Sequence, residues 1–301
     1  MQYARSERQT APIHHLTSTI RVLNYAPMSL RAASLLAILI AALLLPTLAR
    51  AATLCPSAGE ERAEVSGVGE RGEILLADGR QARLAGLDVP DPGRGDPQNA
   101  AKAKAWLAAR LFGRAVSMQR LSPKPDRWGR WLVDLFAADS SAPNSLALGL
   151  LGAGLARVRP EIEAKNCLAE RRAAEQRART DGLGLWTDPY YGVVQASDLD
   201  NLRQRDGQFA IVEGVVLRVG EGRSRTWLDF GRRGGFSAVV ATRQAKAFER
   251  EGVAISALAG VRIRVRGAMD NRFGLRMAIS DAGQIETLSQ AVGKSEARPD
   301  P

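Results

Sequence analysis

Two short apolar runs flank Asp78-Gly79 in GEILLADGRQARLAGL, the stretch that starts at Gly72. The dipeptide supplies the positive backbone angles of a tight turn, so the pattern predicts a β-hairpin. Asp96-Pro97 then offers an N-cap and a first-turn proline to a helix through Ala100, Ala103, Trp106, Leu107 and Leu111, stopped at Gly113. A strand, AVSMQRL, comes next, followed by the proline-rich turn SPKPD and the strand WLVDLF with Arg130 at its entrance. Helical spacing returns around Leu146 to Leu151 and from Glu161 to Arg179, before Gly182, Gly184 and Trp186.

Residues 187–206 hold Pro189, two tyrosines and a charged polar run, which reads as a linker between two units. Beyond it, QFAIVEGVVLRVGE, RTWLDFG and FSAVVA predict three strands, TRQAKAFEREG a helix, and VRIRVRGAMD with FGLRMAIS two more strands. That order is the one a five-stranded OB barrel uses, so residues 207–288 are expected to form an OB-like domain. Residues 289–301 are polar, lack an apolar period and predict a disordered tail.

Ahead of the first strand, Leu35 to Leu45 is a short apolar run after Arg31, and Ala49-Arg50-Ala51 is a small-x-small cleavage pattern. Residues 1–51 therefore read as a secretory signal, with translation starting at Met1 or at Met28. A membrane anchor is the alternative, opposed by the shortness of the run and by Pro46. Removing that leader takes away five arginines and one glutamate, which lowers the formal net charge from +10 to +6. Such a chain suits an anionic partner, nucleic acid or a phospholipid surface.

Cys55 and Cys167 both fall in the exported part. One disulfide tying the mature N-terminus to a later helix is expected there, and two separate buried thiols are the alternative. The two histidines, His14 and His15, lie in the leader, so the mature chain has no imidazole. Ser-His-Asp and Cys-His catalysis, histidine-based nucleases and imidazole zinc sites are thereby excluded, and two thiols exclude four-cysteine zinc. Chemistry must rest on carboxylates, arginine, lysine, hydroxyls or an oxygen-bound ion such as calcium or magnesium.

RLAGLDVPD, residues 83–91, sets one arginine and two aspartates at the end of an apolar strand, and DRWGR, residues 126–130, adds a second arginine. With LADGRQARLAGLDVPD, DRWGRWLVDLF, LGAGLARV and the closing GLGLW, the chain from Gly67 to Trp186 resembles the staphylococcal-nuclease-like, or thermonuclease, family. The resemblance implies an α+β fold: a five-stranded OB barrel with packed helices over residues 52–186, here followed by the second OB-like unit. It also implies Ca²⁺-dependent hydrolysis of DNA or RNA phosphodiesters. Arg83 and Arg130 resemble the family's phosphate-binding arginines, and Asp88 its metal-binding aspartate. Asp91 stands where the family has a glutamate that orients or deprotonates water. Two guanidinium forks can meet phosphate oxygens bidentately while a carboxylate serves the nucleophile.

Two departures accompany the resemblance. Asp91 is one methylene shorter than glutamate. Upstream, where the family shows Asp-Gly-Asp-Thr, this chain has Glu70-Arg71-Gly72-Glu73; Gly72 has no side-chain oxygen, which leaves Glu70 or Glu73 to complete a calcium site.

Bland roles stand beside these. Asp88 and Asp91 also suit a turn. Trp128 packs on the barrel or stacks a base, and Tyr190 and Tyr191 pack in the linker or line a nucleotide groove. Arg262, Arg264 and Arg266 share one face of a strand, able to track a phosphate backbone or simply wet, with Arg264 as the candidate contact. The expected function is an exported, periplasmic or secreted nuclease acting on single-stranded DNA or RNA. A nucleic-acid-binding protein of two barrels without catalysis and an envelope protein-interaction module are the alternatives.

Overall fold

The computed structural model describes Cys55 and residues 59–94, 96–137, 145–232 and 234–288. The expected leader, 1–51, and tail, 289–301, lie outside the described residues. β1 (Glu61–Val68), β2 (Ile74–Leu76) and β3 (Gln81–Leu84) are followed by the two-residue β4 (Leu87–Asp88), then β5 (Ala115–Arg120) and β6 (Arg130–Ala137). In the order β1-β2-β3-β6-β5 they close into the five-stranded barrel that the resemblance implies. Period-two alternation fills its interior with Val65, Ile74, Leu76, Ala82, Leu84, Val116, Met118, Val133 and Leu135.

The predicted hairpin is β2–β3, where Gly79 has φ 85° and donates its N–H to Leu76 O at 3.0 Å. The first helix, α1 (Pro97–Leu111), starts where the cap pattern places it: Asp96 accepts the Asn99 N–H at 2.9 Å. Ala100, Ala103, Leu107 and Leu111 form its buried stripe. α2 (Leu146–Gly152) and α3 (Leu168–Thr180) follow.

The helix expected from Glu161 to Arg179 is broken. A 3₁₀ segment covers Ile162–Cys167, and Glu161 is extended at φ −133°. The cause is tertiary, because the Glu161 carboxylate takes hydrogen bonds from Arg83 and from the Gly86 N–H that a helical start would not allow. Cys167 pairs with Cys55 across 112 residues, the disulfide expected from the cysteine count. A bridge closing so long a loop contributes about 2–4 kcal/mol.

β7 (Arg157–Val158) pairs with β4 outside the barrel. The remaining strands are β8 (Val193–Gln195), β9 (Phe209–Val215), β10 (Arg218–Glu221), β11 (Arg225–Asp229), β12 (Ser237–Ala241), β13 (Arg262–Asp270), β14 (Arg276–Ile279) and β15 (Ile285–Thr287). They form an eight-stranded sheet ordered β10-β11-β12-β14-β13-β9-β8, with β15 on β13. The run QFAIVEGVVLRVGE is two strands, because Val216 exchanges backbone hydrogen bonds with Gly260 and Val261 while Leu217 turns to Asp229. Part of the expected linker is sheet as well: β8 runs parallel to β9, and α4 (Leu199–Arg203) follows it. The helix predicted between the strands is α5 (Ala245–Arg250).

Thr53–Pro301 is one compact unit. Its seam is ionic: Arg266 on β13 meets Glu175 on α3 at 2.7 Å with both side chains 2% exposed. Glu175 also accepts the Val158 N–H at 2.7 Å, which fixes β7. Among the described residues no helix is long and apolar enough to cross a membrane.

Candidate functional site

β3 and β6 run parallel with Gln81 opposite Arg130 and Arg83 opposite Leu132. Residues two apart share a face, so Arg83 and Arg130 stand diagonally on the same face of neighbouring strands. Asp126 gathers them. Its Oδ2 accepts from Arg130 Nε at 3.1 Å and Nη2 at 2.9 Å, and lies 3.7 Å from Arg83 Nε. The turn Asp126-Arg127-Trp128-Gly129 makes this possible, with Gly129 at φ 78° and Asp126 Oδ1 taking the N–H groups of Trp128 and Arg130. Burial works against the Asp126 charge. The Arg130 backbone and guanidinium and the Trp128 N–H outweigh it and hold the carboxyl below the usual range.

On its other side Arg83 forks onto Glu161, Nη1 at 3.2 Å and Nη2 at 2.9 Å. Glu161 is itself pinned by the Gly86 N–H at 2.9 Å. Gly86 has φ 70°, and a Cβ there would strike the Arg171 guanidinium, so this turn takes glycine. Each guanidinium carries five N–H donors, so both arginines keep donors beyond those their carboxylates engage.

Asp88 and Arg157 are direct cross-strand partners in the β4–β7 ladder. Arg157 Nε and Nη2 both reach Asp88 Oδ2, at 3.0 and 2.7 Å. Asp91 accepts from Arg71 Nε at 3.2 Å and from the Gly93 N–H at 2.9 Å. These groups border one cavity of about 440 Å³. Five arginines line it, Arg71, Arg83, Arg130, Arg157 and Arg159, against two aspartates, Asp88 and Asp91. Trp128 stands at the cavity with 62% of its surface exposed, under the guanidinium groups of Arg127 and Arg130. Tyr190 and Tyr191, together with Gln208, Phe209 and Ala268, complete the lining. Burial first, and then its hydrogen bond to Asp96, push the Tyr191 hydroxyl well above the ordinary tyrosine range, so it stays a neutral donor.

Arg83, Asp88, Asp91, Trp128 and Arg130 are thus brought to one place, and Tyr190 and Tyr191 join them. Glu70, Glu73 and Arg264 are not in the lining. Glu70 pairs with Lys104. Glu73 accepts the Arg71 N–H at 3.0 Å and comes within 4.0 Å of Arg130 Nη1. Arg264 is enclosed by Glu213, at 2.8 Å, and Glu286, at 3.4 Å.

Calcium takes six to eight oxygens. Here Asp88 carries a guanidinium, Asp91 another, Glu70 a lysine, and Gly72 offers no side chain. Among the described residues no group of three or more His, Cys, Asp or Glu could hold a metal ion. The residues present do not fit calcium at this site, because each candidate carboxylate is already engaged by a cationic side chain.

Three site residues escaped sequence reasoning. Asp126 opens DRWGR and reads there as a turn former. Arg157 is a cation within the otherwise apolar GLARV, a signal that was there to be used. Glu161 looked like the first residue of a helix, and only the fold turns it towards Arg83.

Comparison with known proteins agrees with the barrel. Residues 81–188 match the family model described as staphylococcal nuclease homologue. That span contains Arg83, Asp88, Asp91, Arg130 and Arg157, and excludes Glu70 to Glu73 and the lining residues from Tyr190 onward. No curated protein matches the chain.

Proposed function

We propose that this chain, whose residues 81–188 form a staphylococcal-nuclease-like domain, binds single-stranded nucleic acid at the arginine-lined cavity. The observation that carries the reading is the convergence of Arg83 and Arg130 on one face, oriented by Asp126 and Glu161 and open to a single cavity. A backbone phosphate presents two unesterified, multiply accepting oxygens that paired planar guanidinium forks recognise. Trp128, exposed beside them, offers a ring on which an unpaired base stacks.

Hydrolysis of the held phosphodiester is a second reading, favoured by Asp91, whose carboxylate borders the same cavity. Asp91 would take a proton from water as the water oxygen bonds to phosphorus, while the P–O ester bond breaks and the leaving oxygen departs with its bonding pair and takes a proton from solvent water. Export to the periplasm or medium belongs to the proposal as well, supported by the apolar run before Ala49-Arg50-Ala51 and by a disulfide, which persists in oxidising compartments.

The test is the purified protein with labelled single-stranded DNA and RNA, binding followed by fluorescence anisotropy and cleavage by gel, in chelator and in calcium. Binding that weakens steeply with salt is the expected result, because phosphate contacts release counterions. Absence of binding at low salt by folded protein would remove the proposal, and cleavage would promote the second reading.

A further inference from the structure

We infer that Arg157 is the resident cation of the cavity, taking the place of a divalent ion, so that a nucleic-acid phosphate is received without metal. The inference rests on the phosphate-binding proposal and deepens it.

Backbone register, not chance, puts the guanidinium on Asp88: the two residues are opposite one another in the β4–β7 ladder. The side chain is 3% exposed and clamped. Its Cζ lies 5.0 Å from the Tyr191 ring centroid and 5.1 Å from that of Phe209, and Nη2 also donates to Phe209 O at 3.0 Å. A guanidinium between two rings and a carboxylate has little rotational freedom left, as a bound ion would.

Nη1 is different. It is buried and has no hydrogen-bond partner, although Arg157 lines the cavity. An unmet donor on a buried charge is costly, and in a native structure it calls for an acceptor. Asp88 engages only part of the guanidinium, and because Arg157 lines the cavity its charge adds to the attraction that the neighbouring Arg83 and Arg130 exert on an anion there.

The same geometry repels a dication. The charge of Asp88 is already neutralised by Arg157, and a second cation brought against that carboxylate meets like charge in a partly dry site. Arginine in this position therefore does two things: it supplies positive charge to a phosphate and denies the carboxylate to calcium.

The experiment is anisotropy of a labelled oligothymidylate with the purified protein at fixed ionic strength, in chelator and in excess calcium. The two dissociation constants are expected to agree within about twofold, because nothing at Asp88 is left for the ion to neutralise. Arg157→Gln is expected to weaken binding about tenfold or more in both buffers, the loss of one cation beside the phosphate. Asp88→Asn, which keeps the shape and removes the charge competing for Arg157, is expected to hold or raise affinity. Binding that requires calcium, or an Asp88→Asn variant that loses affinity only when calcium is present, overturns the inference while leaving the phosphate site standing. Failure to bind in either buffer removes both. The comparison of buffers uses the unaltered protein, so it decides even if a variant folds poorly.

Discussion

Along β13, Arg262, Arg264 and Arg266 face Glu213, Glu286 and Glu175, three arginines against three glutamates. Around the cavity, five arginines face two aspartates, with Asp126 and Glu161 behind them. The side chains of Arg264 and Arg266 are 11% and 2% exposed, whereas Arg83 and Arg130 keep 28% and 20%. In the letters the sheet cluster is an arginine alternation on one strand, whereas the cavity cluster is scattered over separate segments. They differ in what is left over: the sheet cluster is closed by its own carboxylates, while the cavity cluster has guanidinium in excess. An arginine stripe is therefore a scaffold or a receptor according to its carboxylate count, not its own.

The contrast is broken most severely at the seam. Glu175→Gln removes the nearer counter-charge of the buried Arg266, leaving Glu286 at 3.5 Å, and is expected to lower unfolding free energy by about 3 kcal/mol, read by urea denaturation. A loss under about 1 kcal/mol would mean the sheet cluster is not structural. Next come Arg83→Ala and Arg130→Ala, each expected to weaken oligonucleotide binding about tenfold or more. Each should also lower the slope of log affinity against log salt by about one. Trp128→Ala sharpens the picture further: a stacked base accounts for about 1–3 kcal/mol, and its loss leaves the salt slope unchanged.

The smallest effect is expected at Arg264. Arg264→Gln should leave binding within about twofold, since a group held by its own carboxylates has little to offer a phosphate. Its signature is instead in acid. Burial works against the Glu213 charge, but hydrogen bonds from Arg264 and Arg262 prevail and hold the carboxyl below its ordinary value. A carboxylate depressed in the folded state contributes stability that is complete above its unfolded pKa of about 4 and disappears as pH falls through the lower folded value. The melting temperature of the unaltered protein should therefore drop below about pH 4, and that of Arg264→Gln should drop less.

Local chemistry explains which parts were legible in the letters. The Asp78-Gly79 hairpin and the Asp96-Pro97 helix start are written in residues that act on their own backbone, and both formed as expected. Arg83 and Arg130 could be paired because strands have period two and the family resemblance fixed the register. Glu161 could not be placed, since its extended backbone answers to Arg83 and Gly86, residues far away in sequence. β8 was hidden for a similar reason, since it comes from a stretch whose polar composition masks a strand. The ion pair at Asp88 was not legible, because Arg157 approaches it across a two-residue ladder that no periodicity announces.

Phe209 and Ala268 come from the sheet and Gln208 from the bend before it, yet they wall a cavity whose arginines all precede residue 188. Cutting the chain where the family match stops, at residue 188, would strip one ring from Arg157 and take Arg266 away from Glu175. The smallest heritable part of this molecule is thus larger than its recognisable domain, and any gene fusion or trimming that respects only the familiar half discards the other jaw.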